Sequence, residues 1–338
     1  MNDTLSTNNQ TFQIPSELNA EAPIEYSKGQ RDRVQLLTLD RKTGTINDQT
    51  LLDLPHLLQT GDLLVFNRSR TIPAVLKTSD QQTEIRLARK ITDTVWEAIL
   101  FPDSSQTLLK LPENVQIKII GKGSESPLIK IQFEQLKEPV LSYLHKYGTP
   151  IRYEYINKNW PLSDYQTMFA SVPGSIEMPS AGRAFTWSLI KKLKKVGIRI
   201  AFLELHAGIS YYGNDHWPNP LFHPEAYSVP EQTFTDVIET KRNGNRVIAV
   251  GTTVVRALET VALNKHSPTL SGHTNLYVTG DTSLNFVDGL LTGLHEPETS
   301  HLHMLRAFTK EEYVRRAYHH ALNHRYLWHE FGDINLIL

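Results

Sequence analysis

The stretch RVIAVGTTVVRALETVAL, from Arg246 to Leu263, constrains the fold more than any other part of the chain. Val247–Val250 are apolar without alternation, which is typical of a strand covered on both faces. Gly251 and Thr252 interrupt the run, and Thr253 is a suitable N-cap residue. Apolar residues then recur at helical spacing at Val254, Val255, Leu258 and Val261. The segment predicts a buried strand, a tight turn and the start of a helix.

The turn in this segment is a candidate ligand site. Backbone N–H groups at a helix N-terminus have no intrahelical partner, and the helix dipole is positive there, so a carboxylate or phosphate binds favourably. Arg256, on the first helical turn, can hold the same anion through two hydrogen bonds. The pattern also suits an ordinary strand-to-helix turn in which Gly251 has no function beyond the turn itself.

Composition limits the classes of function. The 338 residues carry 35 basic and 36 acidic side chains, so any nucleic-acid contact must be a local patch. The absence of cysteine excludes disulfides, thiolate metal sites and a cysteine nucleophile. The N-terminus lacks a signal-peptide pattern, and no apolar run approaches the roughly 20 residues of a membrane helix. We therefore expect a cytoplasmic protein with no membrane partner.

The predicted elements alternate between strands and helices outside one central region. The first 28 residues are polar and predict a loosely held arm. Strands are predicted at 34–40, 61–67, 198–205, 247–250 and 276–278, and helices at 51–58, 185–196, 231–242 and from a Thr309/Glu312 capping box to about 325. Lys191, Lys192, Lys194 and Lys195 form the polar face of the second helix and are the best local basic patch for a polyanion.

The central region, 74–147, has a different pattern. Short segments of β-type residues at 84–88, 94–100, 115–120 and 128–133 are separated by polar turns. We predict an α/β protein in which a main mixed-sheet domain, 1–73 and 148–338, is interrupted by a small inserted β-barrel domain, 74–147.

Polar or flexible residues follow three predicted strands of the main domain. They are His206–Gly208, Gly251–Thr253 and Thr279–Asp281. Because ligands in α/β sheets bind beyond the carboxyl ends of the strands, these three ends are expected to converge. Twelve of the 14 histidines follow residue 200, which makes the C-terminal half the expected location of acid–base chemistry.

Seven ordered segments resemble the S-adenosylmethionine:tRNA ribosyltransferase-isomerase family of queuosine biosynthesis. They are DRVQLLTLDRKTGTI from Asp32, GDLLVFNRSRTIPAVL from Gly61, YQTMFASVPGSIEMPSAGRAFT from Tyr165, FHPEAYSVP from Phe222, VIAVGTTVVRALE from Val247, VDGLLTGLHEPE from Val287 and the terminal FGDINLIL. The resemblance covers nearly the whole chain and includes an inserted β-barrel. Ordered matches over this length are far more specific than a single motif.

The resemblance implies a reaction and its partners. The ribosyl part of S-adenosylmethionine is transferred to 7-aminomethyl-7-deazaguanine at the wobble position of the tRNA anticodon. It rearranges to the epoxycyclopentanediol of epoxyqueuosine, and adenine and methionine leave. No metal and no cofactor beyond the co-substrate S-adenosylmethionine is implied, and we expect a monomer.

This chemistry defines the groups that the site needs. The sulfonium acidifies the ribose C5′ hydrogens, so a positioned base can form an ylide, and adenine leaves more easily when an acid meets it. The acid–base candidates within the matching segments are His206, His223, Glu225 and His295. The binding candidates are Asn67, Arg70, Ala181, Gly182, Gly251, Thr252, Thr253, Arg256 and Asp288, with Asp288 assigned to ribose hydroxyls or a base edge. Each of them can instead be structural.

Several segments depart from the family pattern. The family's NDTRVIPARL is NRSRTIPAVL here, which places Arg68 where an acid is usual. PTAGLHFT becomes PSAGRAFT, with Arg183 and Ala184; HVGAGTF becomes HAGISYY; FFSYGDAMLI becomes LWHEFGDINLIL. TNFHLPxSTLLMLV becomes TGLHEPETSHLHML, which keeps His295 and Pro297 and adds Glu296, His301 and His303. These changes gather at expected ligand loops.

The sequence is also compatible with three alternatives. A paralogue can use S-adenosylmethionine on a small molecule, and an inactive relative can bind tRNA without turnover, as Arg68 and Ala184 suggest. A metal-dependent hydrolase is the third, because His301 and His303 alternate as strand ligands do and His320 and His324 are four residues apart on a helix.

Overall fold

The computed structural model describes residues 12–104, 106–213, 216–263, 268–296 and 300–338. Within these ranges the strands are β1 (Gln35–Leu39), β2 (Ile46–Thr50), β3 (Leu63–Asn67), β4 (Ser69–Thr71), β5 (Val75–Lys77), β6 (Glu84–Lys90), β7 (Val95–Phe101), β8 (Leu108–Lys110), β9 (Gln116–Lys122), β10 (Ile129–Glu134), β11 (Val172–Ser175), β12 (Arg199–Leu205), β13 (Glu225–Ser228), β14 (Val247–Val250), β15 (Ser271–Thr274), β16 (Gly289–Gly293) and β17 (Ile334–Ile337). The α-helices are α1 (Glu25–Lys28), α2 (Leu54–Leu57), α3 (Val140–Tyr147), α4 (Trp187–Lys195), α5 (Glu231–Arg242), α6 (Thr252–Ala262), α7 (Ser300–Leu305) and α8 (Glu311–Asn323).

The main sheet is mixed and has the order β15-β13-β12-β3-β14-β16-β17-β1-β2 in the described residues. Its centre is parallel: β12, β3, β14 and β16 all run in one direction. Every residue of β3 and β14 is buried, because helices and loops cover both faces. The predicted mixed α/β fold is confirmed, and the parallel centre brings several carboxyl strand ends to one edge.

The inserted region forms a separate antiparallel sheet with the order β5-β6-β7-β10-β9-β8. The sheet is curled into a half-barrel, and just beyond β5 the Ser79 amide donates to the Lys110 carbonyl at the end of β8, 2.9 Å away. Its core also takes in α3 and reaches Tyr153, which follows the predicted boundary at 147. The division of the chain into domains at 74 and 147 remains a prediction.

Most predicted elements of the main region are present. The predicted strand 247–250 and helix 231–242 match β14 and α5 residue for residue. The strand at 276–278 is wrong, since β15 ends at Thr274. The carbonyl of Leu276 accepts a hydrogen bond from Arg256 Nε at 3.0 Å, so its partner is a side chain and not the backbone of a neighbouring strand. Thr279–Asp281 therefore does not follow a strand.

Two end regions also differ from expectation. The predicted arm falls partly outside the described residues, which begin at residue 12. Residues 12–28 pack against the domain, because Leu18 is buried and its carbonyl accepts from the Trp328 amide at 2.9 Å. The few apolar side chains of this otherwise polar stretch, such as Leu18, are buried and hold it against the domain. Thr309 does not cap α8: its hydroxyl donates to the Arg41 carbonyl, 2.8 Å away, and Lys310 holds the N-cap position. None of the described helices combines the length and the apolar character needed to cross a membrane.

Candidate active site

A cavity of about 380 Å³ opens at the carboxyl ends of the central strands. Residues that follow β12 and β14 line it, together with Ala88 and Arg89 from β6 of the half-barrel. The volume lies within the range of small-molecule sites, and the position is the one expected for ligands of parallel sheets. The cavity therefore lies where the two sheets meet.

The turn after β14 forms one part of the lining. Gly251 has φ +98° and ψ 152°, a conformation that only glycine adopts readily, and it occupies the N-cap position of α6. The predicted N-cap at Thr253 is therefore wrong, because the helix begins at Thr252. Gly251 has no side chain with which to cap α6, and Gly251, Thr252 and Thr253 all line the cavity. The anion-binding arrangement inferred from sequence is thus geometrically possible.

Arg256 and Glu225 line the same cavity as an ion pair. Arg256 Nη1 contacts Glu225 Oε2, and the other Glu225 oxygen accepts from the Gly208 amide at 2.8 Å. Arg256 also donates to the carbonyls of Leu276 and Thr274, at 3.0 and 3.4 Å. Arg256 is therefore engaged by the protein itself while it lines the cavity, and its predicted contact with a ligand anion stays a prediction. We call Gly251, Thr252, Thr253, Arg256 and Glu225 the helix-start cluster.

Asn67 and His206 support this cluster from outside the cavity lining. Asn67 Nδ2 donates to the Leu205 carbonyl at 2.8 Å and to Thr253 Oγ1 at 3.1 Å, which joins β3, β12 and α6. His206 Nδ1 lies 2.6 Å from Ser69 Oγ, and burial lowers the pKa of its imidazole. Both residues hold strand ends in place.

His223 connects the main region to the half-barrel. Its Nε2 lies 2.7 Å from Glu125 Oε1 and 2.9 Å from the Tyr212 hydroxyl. It lines the cavity, but its ring nitrogen is occupied by these two partners.

His295 lines the cavity beside two other histidines. Its ring centroid is 4.1 Å from that of His301. Burial, with a smaller effect of His329, lowers the pKa of His295 to about 4, and burial lowers that of His329 to about 4 as well. His301 is buried, and among the described residues its Nε2 has no hydrogen-bond partner. These imidazoles are neutral near pH 7.

Two tyrosine–carboxylate pairs in the lining were not found from sequence. The Tyr153 hydroxyl donates to Glu177, and the Tyr155 hydroxyl donates to Glu330. Glu177 also accepts from the Ser210 amide at 2.6 Å. Burial raises the pKa of Glu177 and raises that of Glu330 to about 7. We call Tyr153, Tyr155, Glu177 and Glu330 the tyrosine–carboxylate cluster.

A signal for this second cluster existed in the sequence. Glu177 lies within a matched segment, SIEMPSAGR, and Glu330 lies in the altered terminal segment LWHEFGD, as a charge beside aromatic residues. Neither segment shows which partners the carboxylates meet, because Tyr153 and Tyr155 belong to an unmatched part of the chain.

The remaining predicted residues are divided between the lining and other places. Ala181 lines the cavity, whereas Gly182 is buried behind it, where an added Cβ would lie 3.2 Å from the Phe169 ring. Arg70 is exposed and does not line the cavity. Asp288 is at the opposite end of β14: it accepts from the Val247 amide at 2.9 Å and pairs with Lys241. Asp288 is not part of the cavity lining and binds the amino end of β14, so its assignment to ribose or base binding stays a prediction without support from this cavity.

The fold and the site define an α/β enzyme class: a mixed sheet with an inserted half-barrel and a cavity of titratable groups at the carboxyl strand ends. Residues 7–337 match the family model described as "Queuosine biosynthesis protein". The S-adenosylmethionine:tRNA ribosyltransferase-isomerases of Thermotoga maritima and Carboxydothermus hydrogenoformans are each 34% identical to the chain, over 97% of it and 98% of their own length.

A solved structure agrees with these relatives. The crystal structure of S-adenosylmethionine tRNA ribosyltransferase from Thermotoga maritima is 29% identical, with a TM-score of 0.56 over 97% of this chain and 99% of that one. The chain belongs to the S-adenosylmethionine:tRNA ribosyltransferase-isomerase family of queuosine biosynthesis.

Proposed function

We propose that the protein transfers and isomerises the ribosyl moiety of S-adenosylmethionine onto 7-aminomethyl-7-deazaguanine in tRNA, giving epoxyqueuosine with release of adenine and methionine. The observation that best supports this proposal is the cavity at the carboxyl strand ends in a chain of this family. The cavity combines the glycine-capped N-terminus of α6 with the carboxylates of Glu177 and Glu330, whose hydrogen-bond donors in the described residues are hydroxyl and backbone N–H groups. S-adenosylmethionine is the co-substrate, and the reaction needs no further cofactor.

The methionine carboxylate is placed at the start of α6. The N–H groups of the first helical turn and the positive end of the helix dipole favour an anion there. The ion pair of Arg256 with Glu225 holds the flanking β13 and α6 in register, so Arg256 acts as a positioning residue. Ala181 packs 3.6 Å from the Cβ that Gly251 lacks, and so limits the space at the turn.

The proton acceptor is assigned to the tyrosine–carboxylate cluster. His206 and His223 are hydrogen-bonded to protein groups, Glu225 is neutralised by Arg256, and His295 is a weak base. Glu330 and Glu177 line the cavity, and neither forms an ion pair with a basic side chain within the described residues. A carboxylate with a raised pKa is a stronger base than an imidazole whose pKa burial lowers to about 4, so it accepts the C5′ proton more readily.

The tRNA is placed at the mouth of the cavity beside the short 3-10 helix Pro220–Phe222. Phe222 is 53% exposed, and its neighbours Pro220 and His223 line the cavity. An exposed aromatic ring can stack on an unpaired anticodon base, which is worth about 1–3 kcal/mol. The lysine face of α4 ends at the amino end of β12, away from the cavity, and is not assigned to the anticodon.

This placement predicts separate effects on the two substrates. Phe222→Ala is expected to weaken tRNA binding about tenfold while leaving the Kd for S-adenosylmethionine unchanged. Trp187→Ala is the matched control, since Trp187 is also 53% exposed but lies at the start of α4. Equal losses in both variants would contradict the placement.

The reaction is tested by incubating the protein with S-adenosylmethionine, with and without tRNA bearing 7-aminomethyl-7-deazaguanine, and chromatographing the products. Release of adenine and methionine only with that tRNA supports the proposal. Release with a metabolite and no tRNA would favour the small-molecule paralogue, and tight tRNA binding without turnover would favour the inactive relative. Failure to bind S-adenosylmethionine would refute both the proposed reaction and the small-molecule paralogue.

Packing explains three departures from the family pattern, two of which, Arg68 and Ala184, motivated the inactive alternative. Arg68 makes two hydrogen bonds to Glu204, and Arg183 is buried against Glu25 and the Asp164 carbonyl. Ala184 lies in a hydrophobic core. The hydrolase alternative loses one of its histidine pairs, because His301 packs on His295 while His303 bonds to Tyr277. A cytoplasmic location and a monomeric state remain part of the proposal.

A further inference from the structure

A second group of titratable side chains lies outside the cavity, where β2 meets α8. It consists of Asp48 on β2 and His320 and His324 on α8, with one potential ligand atom from each within 4.8 Å of the others. The two imidazole rings are stacked with centroids 3.7 Å apart, and none of the three residues lines the cavity. We propose that Asp48, His320 and His324 bind one divalent first-row transition-metal ion, with Zn²⁺ as the representative.

The backbone fixes the tautomer of His324 in the form that a metal requires. Its Nδ1 lies 2.9 Å from the His320 carbonyl, and a carbonyl can only accept, so Nδ1 carries the proton. The neutral ring then has its lone pair on Nε2. Metal-ligating histidines commonly donate their other ring N–H to a backbone carbonyl, which orients the ring.

Asp48 and His320 are already held together. His320 Nε2 lies 2.8 and 3.1 Å from the two Asp48 oxygens, and the buried Tyr326 hydroxyl donates to Asp48 Oδ1 at 2.7 Å. On metal binding the His320 proton moves from Nε2 to Nδ1, so that Nε2 and a carboxylate oxygen both become ligands. Ligands of tetrahedral zinc lie roughly 3.4 Å apart, so the two stacked rings must rotate out of their nearly parallel planes for both Nε2 atoms to face one ion.

The donor set selects the kind of ion. Two imidazoles and one carboxylate suit zinc, cobalt or nickel, whereas Mg²⁺ and Ca²⁺ favour all-oxygen ligands. Asp48 and His320 are 45% and 23% exposed, so water completes the coordination shell. Because β2 is an edge strand of the main sheet, the ion would fasten this edge to α8 and stabilise the folded state.

The test uses the full chain without an affinity tag, titrated with Zn²⁺ by calorimetry and with Co²⁺ by visible absorption. We expect one equivalent to bind and to raise the Tm of unfolding. His324→Ala is expected to abolish this binding, and Tyr326→Phe to weaken it about 10- to 100-fold through loss of carboxylate orientation. His319→Ala is the matched control on the same helix and keeps the binding.

The outcome does not depend on the ribosyl-transfer reaction. Absence of one-equivalent binding in the wild-type chain would overturn the proposal. Unchanged binding in His324→Ala would do the same, because it would place the ion on other histidines, such as those of the cavity.

Discussion

The two clusters that line the cavity differ in how their charges are balanced. In the helix-start cluster, Arg256 and Glu225 neutralise each other, and the uncapped amides of α6 supply the remaining polarity. In the tyrosine–carboxylate cluster, the side-chain partners of Glu177 and Glu330 in the described structure are neutral hydroxyls. Burial therefore raises the pKa values of the second pair of carboxylates. The difference separates a region suited to binding from a region suited to proton transfer.

The largest expected effect is a loss of turnover on substitution in the tyrosine–carboxylate cluster. Glu330→Gln is expected to lower turnover by about 10²- to 10⁴-fold, the usual contribution of a general base, with little change in the Kd for S-adenosylmethionine. Exchange of the C5′ hydrogens with deuterated water, measured by mass spectrometry, reports the proton-transfer step directly. Glu21→Gln, an exposed carboxylate, is the control.

The same substitution has the opposite effect on stability. Because the pKa of Glu330 is raised to about 7 from 4.5, folding favours the protonated form, and stability falls as pH rises between these values. Glu330→Gln should therefore raise the free energy of unfolding at pH 8, by about 1–3 kcal/mol. Slower turnover accompanied by lower stability would instead indicate a structural role. Wild-type turnover should rise with pH through about 7.

The next effect concerns the ion pair of the first cluster. Arg256→Ala leaves Glu225 partly buried without its counter-ion, so we expect a loss of about 3 kcal/mol in unfolding free energy together with weaker ligand binding. In Arg256→Ala/Glu225→Gln most of this stability should return. Chemical denaturation of both variants measures how much of the lost stability the second substitution restores. Normal stability in the single variant would show that the pair is not needed to position β13 and α6.

A smaller effect is expected at the turn itself. Gly251→Ala forces a side chain into the φ +98° conformation, at a cost of about 1–3 kcal/mol. The shifted start of α6 should weaken S-adenosylmethionine binding while leaving the C5′ exchange rate of bound substrate nearly unchanged. Calorimetry and the exchange assay separate the two. A change in exchange alone would reverse the roles assigned to the clusters.

The smallest effect concerns the neutral histidines near the cavity. The pKa of His301 is lowered well below its usual value by burial, so the unfolded chain binds a proton more readily and stability falls as pH drops below 6.5. His301→Leu removes an imidazole whose Nε2 has no partner in the described structure. Between pH 7 and pH 5 the free energy of unfolding should fall by about 1 kcal/mol less in this variant than in the wild type. Thermal unfolding at the two pH values measures this difference.

The sequence determined the parts of this protein that depend on neighbours along the chain. Continuous apolar residues specified β14, and helical spacing specified α6. Short β-type segments separated by polar turns specified the antiparallel insert. Gly251 marked the turn at the cavity for the same reason, since a backbone conformation restricted to glycine is a local property.

Tertiary structure decided which side chains meet. Arg256 was expected to face a ligand, but the pairing of β13 beside β12 brings Glu225 to it. Asp288 was assigned to the site, but the direction of β14 places it at the other end. Tyr155 and Glu330 are 175 positions apart and share a hydrogen bond. Pairings of this kind depend on strand order and on burial, which are properties of the folded chain and have no counterpart in local sequence spacing.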